Sequence, residues 1–390
     1  MSILGGSQDR PLAHVGAALS ASWRHFGWRD TLYTAATLGV LGAGRLAAPL
    51  DHLFYPGHRK VRVERPLFIL GHPRSGTTFL HRLLTQTGDH PAFQTWELLT
   101  PSLTQRALVR PWIETLTRWL GRGFHASDAV FKDGAHEVRI DTIEEEELLF
   151  LFNLDSQFLT LFTPVGFHED DPCDLAFADH QPPSRRRASV EWLRGCLQRQ
   201  IYATGRSQVV AKLPYSTLRV RALLEAFPDA RFVYLVRSPL ETIPSHLSLH
   251  LNFFEQRYGV ENIPPELLSR YWCRRYRYNV ALYRSFHALE QDRVLSPDQL
   301  MVLPYPELRR DLGGAFERLV DFAGLEPSAA LRQAVEDQAA RQASYTRRHR
   351  NRTVADFGLN ESEVMHDLGW VFEAYPGTRP APEALGAVSR

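Results

Sequence analysis

Lysine is scarce in this 390-residue chain: Lys60, Lys132 and Lys212 are the only three among 45 basic residues. Composition accounts for most of that bias, because arginine serves wherever a positive charge alone is needed. A lysine that survives points to a position where a compact ammonium is wanted, and Lys212 closes the short apolar run VVAK. Cysteine is sparse as well. Cys173, Cys196 and Cys273 lie far apart with no C-x-x-C pair and no His–Cys cluster. This argues against a disulfide framework or a zinc site and for a reducing, cytoplasmic setting. An excess of one charge is also missing. The net charge is +1, which gives no reason to expect a nucleic-acid partner. Residues 31–44, TLYTAATLGVLGAG, form an uncharged and largely apolar run. It is shorter than the roughly 20 residues that span a bilayer as a helix. The plainer reading is a helix packed on the rest of the chain. The sharper one is an interfacial helix in peripheral contact with a membrane, with Trp23, Phe26 and Trp28 just before it. The order of a signal peptide is not seen.

What is present is ample apolar material, 44% hydrophobic and 11% aromatic, enough for a sizeable core. Residues 1–64 read as an N-terminal helical extension. RPLFIL (65–70) is a short apolar run bounded by breakers and predicts a buried strand. TTFLHRLLTQTG (77–88) puts Phe79, Leu80, Leu83 and Leu84 on one helical face. Further strands are expected in QVVAKLP (208–214), RFVYLVRSP (231–239) and QLMVLPYPEL (299–308). Helices are expected in TLRVRALLEAFPDA (217–230) and AFERLVDFAGL (315–325). Such alternation predicts an α/β fold, a parallel sheet flanked by helices, with ligands bound beyond the carboxyl ends of the strands. Residues 65–390 then form one catalytic domain with helical insertions at about 89–207 and 251–298. The first insertion includes DTIEEEELLFLF (141–152), read as helical; Asp141 and the run Glu144–Glu147 either approach the ligand site or, on the plainer reading, form a solvated helix face.

Between the first strand and its helix lies GHPRSGTT, nearly the phosphate loop G-x-x-x-x-G-K-[ST]. Gly71 and Gly76 keep the spacing, but Thr77 replaces the lysine and Arg74 enters the loop. A helix start still offers N–H groups to an anion, and Arg74 offers a planar fork to a tetrahedral oxyanion. No Asp-rich metal motif accompanies the loop. It therefore suits a phosphate whose outer group carries less charge than a γ-phosphate and needs no metal; a phosphosulfate meets that description.

GHPRSGTTFLHRLL resembles the 5′-phosphosulfate loop of sulfotransferases that use 3′-phosphoadenosine 5′-phosphosulfate, in the bacterial branch similar to tyrosylprotein sulfotransferases. YLVRSPLETIPS resembles that family's 3′-phosphate motif, an arginine and a serine eight residues on: Arg237 and Ser245. VLPYPEL resembles the segment whose tyrosine, here Tyr305, lies near the adenosine. The resemblance implies an α/β, P-loop-like enzyme that moves a sulfonyl group to a hydroxyl or amine. It also implies a nucleotide site of Arg74, Ser75, Gly76, Thr77, Thr78, Arg237, Ser245 and Tyr305, with no metal. Arg74 and Lys212 would be catalytic, with Lys212 at the bridging oxygen. Glu97, in FQTWELLTP, would be the base, with His136 and His168 as alternatives. The aromatic insertions point to an apolar or amphiphilic small-molecule acceptor: a lipid, glycolipid or phenol. The basic stretch YTRRHRNR (345–352) reads either as a loop closing over the nucleotide or as solvated chain. Two other readings stand beside this one: a nucleotide kinase or NTPase with a degenerate loop, and a non-catalytic nucleotide-binding protein on the same scaffold. Oligomeric state is not legible in the sequence.

Overall fold

A computed structural model describes residues 11–119, 141–343 and 352–379. Its centre is a sheet of four parallel strands, β1 (Leu67–Gly71), β2 (Val210–Lys212), β3 (Arg231–Val236) and β4 (Leu300–Pro304), in the spatial order β2-β1-β3-β4. Successive side chains of a strand face opposite sides of a sheet. Here Phe68, Leu70, Ala211, Phe232 and Tyr234 belong to one apolar cluster, while Leu67, Ile69, Val210, Val233 and Leu235 belong to another. The fold is thus α/β with both faces of the sheet covered, which is why these strands read as unbroken apolar runs.

The helices that matter for the site are α1 (Pro11–Ala47), α2 (Thr77–Thr85), α3 (Thr95–Leu99), α4 (Leu103–Trp119), α5 (Pro183–Thr204), α6 (Pro239–Tyr258), α7 (Pro265–Gln291) and α8 (Tyr305–Arg310). Leu80, Leu83 and Leu84 of α2 lie in the second cluster, each nearly or fully buried. Each such burial is worth about 1.5–3 kcal/mol. Phe253 and Phe254 of α6 pack in the first cluster with Tyr271, Trp272 and Phe286 of α7.

The order β2-β1-β3-β4 means that the chain leaves β1 toward one side of the sheet and leaves β3 toward the other. A crevice opens at such a switch point, beyond the carboxyl ends of the two strands. Gly71 lies opposite Leu235 and Val236 opposite Pro304. The segments carrying Arg74, Arg237 and Tyr305 therefore leave the sheet side by side.

Three local expectations are corrected. Residues 141–145 are not helical: Ile143 forms an antiparallel bridge with Gln94, and a 3-10 helix begins only at Glu146. Residues 217–230 hold a 3-10 turn (Pro214–Arg219) before the helix Val220–Ala226. Tyr305 opens α8 rather than closing β4.

A candidate active site at the switch point

Gly71 and Gly76 take φ of 147° and 102°, a region that suits glycine. A Cβ at Gly76 would stand 2.6 Å from the Tyr305 ring, and one at Gly71 would stand 2.5 Å from the Leu235 carbonyl. The loop is held this tightly against β3 and α8. Arg74 adopts φ 75°, which costs a non-glycine residue on the order of 1–2 kcal/mol. Such strain persists where the surroundings fix it, and it collects at functional sites. Gly76 is the N-cap of α2 and offers no side-chain cap. The first N–H groups of α2 are left for another partner, and an anion is the partner they suit.

Behind the loop, His72 is fully buried and stacks on Tyr283 at 4.9 Å. Burial lowers its pKa to about 4, so it sits there neutral. The Tyr283 hydroxyl donates to the Arg237 carbonyl at 2.8 Å. A single aromatic of α7 thus backs both the loop after β1 and the loop after β3. Sequence reasoning passed over His72; its place inside the loop motif was the available signal.

The structure brings Arg74, Gly76, Arg237, Ser245 and Tyr305 together. Arg74 Nε donates to Ser245 Oγ at 3.0 Å, and Arg237 Nη1 donates to the Arg74 carbonyl at 3.1 Å. The Arg237 guanidinium lies over the Tyr305 ring, 4.4 Å from its centroid, and pairs with Glu241 at 2.8 Å. Burial works against the Arg237 charge, but Glu241 outweighs it and holds its pKa above the ordinary arginine value. Arg74 is different. Burial first, and then the neighbouring Arg237 charge, lower its pKa. Glu145 offsets part of this from a distance, but no carboxylate lies within ion-pair reach of Arg74 among the described residues. A half-buried cation beside a second cation costs free energy unless an anion joins them. Ser75 Oγ and Ser238 Oγ are also buried at this crevice with no hydrogen-bond partner among the described residues. Ser245 lies inside a helix, not at its start. α6 begins at Pro239 and runs through Pro244, which places Ser245 in its second turn.

A second cluster lies on the other side of the α2 start. Alternation along β2 turns Lys212 to the same face as Val210, the face that α2 covers. Lys212 Nζ donates to Thr78 Oγ1 at 2.7 Å and pairs with Glu145 at 2.7 Å, with only 3% of its side chain exposed. Thr77 is buried beside it. Arg74 and Thr78 line one cavity with Phe79, Leu83 and Ile143.

Glu97 does not join this cluster. It is the N3 residue of a capping box on α3, where its carboxylate accepts from the Gln94 N–H at 2.9 Å. Gln200 donates to it at 3.2 Å and Arg106 lies 3.7 Å away. It lines a different cavity, with Thr85, His90 and Gln200. The glutamate at the cluster is Glu145, and the run around it is not a solvated face. Glu144 pairs with Arg82, Glu146 accepts from the Lys212 N–H, and Glu147 accepts from Ser216 Oγ. Glu144, Glu146 and Glu147 are all buried. The available signal was that four acids abut the apolar LLFLF, which draws the run inside. His168 accepts from the Asp170 N–H at 3.2 Å in an exposed turn and meets none of these residues. His136 and residues 345–351 lie outside the described residues. Arg352, the last of that basic stretch, donates to Asn252 at 3.1 Å.

Comparison with known proteins places this geometry. A model of the sulfotransferase family matches residues 66–330. The chain is 26% identical over 332 residues to the omega-hydroxy-beta-dihydromenaquinone-9 sulfotransferase Stf3 of Mycobacterium bovis, covering 83% of this chain and 78% of that protein. The Stf3 of Mycobacterium tuberculosis matches to the same extent. Among solved structures, the fold is similar to sulfotransferase STF9 from Mycobacterium avium, with a TM-score of 0.74 at 19% identity, over 96% of this chain and 93% of that one. It is also similar to STF1 from Mycobacterium tuberculosis H37Rv, with a TM-score of 0.65 at 22% identity, over 93% of each chain. With a parallel sheet, an open helix start at its switch point and a family match over most of its length, the chain belongs to the sulfotransferase family.

Proposed function

We propose that the enzyme transfers the sulfonyl group of 3′-phosphoadenosine 5′-phosphosulfate to a hydroxyl of an amphiphilic, lipid-like acceptor. The observation that carries the donor is Arg74, a half-buried cation without a carboxylate partner among the described residues, set beside Arg237 at the uncapped start of α2. The residues fit a bisphosphorylated nucleotide. The N–H groups of Thr77 and Thr78, with Ser75 and Arg74, hold the 5′ end. Arg237 and Ser245 hold the 3′-phosphate, and Tyr305 lies beside the adenosine. The donor supplies an activated sulfur and a leaving group. The residues do the rest. Glu145 takes the acceptor proton as the acceptor oxygen bonds to sulfur. Lys212 meets the negative charge that develops on the bridging oxygen as its bond to sulfur breaks. Thr78 orients Lys212. This assigns the base to Glu145 rather than Glu97, since Glu145 is the carboxylate in contact with Lys212.

The acceptor class rests on two supports. The relative named above acts, by its name, on a hydroxylated menaquinone, and Phe79, Leu83 and Ile143 give the Arg74 cavity an apolar side. The test pairs two measurements. Adenosine 3′,5′-bisphosphate should raise the melting temperature where ATP with Mg²⁺ does not. Labelled sulfonyl donor should label a long-chain alcohol in preference to a short one. A shift with ATP–Mg²⁺ alone would return the protein to the NTPase reading. A nucleotide shift without transfer to any acceptor would leave a binding protein.

A further inference from the structure

Among the described residues, the large apolar side chains left exposed gather in one part of the chain, and none lies beyond Tyr202. On α1 they include Trp28, Leu32, Val40 and Leu46. The face of α1 that packs inward carries Thr34, Leu41 and Gly44, so residues 31–44 are uncharged on both faces yet covered on one. A helix apolar all round is normally buried all round. Just after α1, Leu53 is 73% exposed with Leu50 and Phe54 beside it, and on α4 Trp112 is 76% exposed. These pieces form one rigid platform. The buried Asp51 carboxylate accepts from Ser102 Oγ and from the N–H groups of Leu103 and Thr104, and it pairs with Arg199 of α5 at 2.6 Å. α4 also packs against α1.

Charge selects the occupant. Residues 11–63 hold two acids, and both are used internally: Asp51 with Arg199, and Asp30 with Arg257. The exposed charges of that stretch, among them Arg29, Arg45 and Arg59, are all cationic. Arg45 and Arg59 line a groove with Pro49 and His52, next to Leu50 and Leu53. The acid on that groove, Glu191, is paired with Arg194. A second copy of the chain related by a two-fold axis would set arginines against arginines. An anionic lipid surface would meet them with opposite charge while taking up the tryptophans and leucines.

We propose that this platform, the outer face of α1 with residues 50–54 and the outer side of α4, docks the enzyme on an anionic membrane surface. The docking is peripheral; no helix among the described residues is long and apolar enough to cross a membrane. Ile113 and Glu114 of α4 line a cavity that shares the lining residues Asp141 and Ile143 with the Arg74 cavity. The docked side therefore lies next to the site. The inference is independent of the acceptor, and its test contains none.

Full-length protein is sedimented with vesicles of phosphatidylcholine alone, and with vesicles of equal parts phosphatidylglycerol and phosphatidylcholine. Binding to the anionic vesicles should be about tenfold or more tighter than to the neutral ones. The double variant Leu53→Glu/Trp112→Glu should lose about tenfold or more of it, with its melting temperature and its response to adenosine 3′,5′-bisphosphate unchanged. Three results would overturn the proposal: no sedimentation with either vesicle, equal sedimentation of variant and parent, or a dimer in solution that the variant dissolves while vesicles are ignored. The last would make the platform a self-association face.

Discussion

Residues 93–97 and 141–147 lie side by side, joined by the bridge between Gln94 and Ile143 and by the Glu144 N–H donating to the Phe93 carbonyl. Each offers a glutamate to a catalytic reading, and the two are used in opposite ways. Glu97 sits in the first turn of α3, where a carboxylate is drawn to the open N–H groups of its own helix. Its remaining capacity goes to Arg106 and Gln200. Glu145 has extended backbone just before the 3-10 helix that begins at Glu146, and its side chain makes no capping bond there but pairs with Lys212 instead. Each acid thus has a different partner: Glu97 the start of its own helix, Glu145 a lysine at the end of β2.

The comparison breaks most sharply on Lys212. Lys212→Met should lower kcat about a thousandfold, the scale of losing a donor at a developing charge, with affinity for adenosine 3′,5′-bisphosphate kept within a few fold by calorimetry. Glu145→Gln should lower kcat by about 10²–10⁴ in steady-state assays, with affinity for adenosine 3′,5′-bisphosphate kept within a few fold. If Glu97→Gln did this instead, the assignment made from the Lys212 contact would be wrong.

Glu147, two residues from Glu145, offers a stability test. Burial raises its pKa to about 7 against the counter-pull of Arg219. The folded protein therefore keeps a proton that the unfolded chain releases above its ordinary value of 4.5. The fold binds more protons in that window, so stability should fall as pH rises from about 4.5 to 7, by about 3 kcal/mol in all. Denaturant melts across that range should show the slope in the parent and lose it in Glu147→Gln.

Arg237→Ala should weaken adenosine 3′,5′-bisphosphate binding about 10–100-fold, the loss of charge-assisted hydrogen bonds to a phosphate. Adenosine 5′-phosphate should bind parent and variant alike, because it lacks the group that Arg237 would hold. The smallest effect belongs to Glu97→Gln. Its glutamine carbonyl can still accept the Gln94 N–H, so the change should cost about 1 kcal/mol of stability through the lost charge facing Arg106 and alter kcat by less than about threefold.

The loop after β1 and the arginine after β3 were legible because each is a local signal, a breaker and a cation directly after an apolar strand. The strands themselves were legible because a sheet covered on both faces needs continuous apolar runs. Glu145 was not legible. Its run reads as helix and solvent face, and it is extended because residues 142–144 pair with residues 93–95, an interaction across some fifty residues of sequence. Ser245 was matched by spacing, but its role as the acceptor of the Arg74 Nε–H depends on α6 continuing through Pro244.

The sequence by itself determined the alternating strands and helices, the open glycine loop without its lysine, and the pair of arginines that follow two strands, because these depend on neighbours within a few residues. Tertiary structure decided which glutamate meets Lys212, that Arg74 has no carboxylate within ion-pair reach among the described residues, and which apolar face of α1 stays uncovered. Those outcomes depend on strand order and on pairing between distant segments, and no stretch of chain can encode them without the surfaces it packs against.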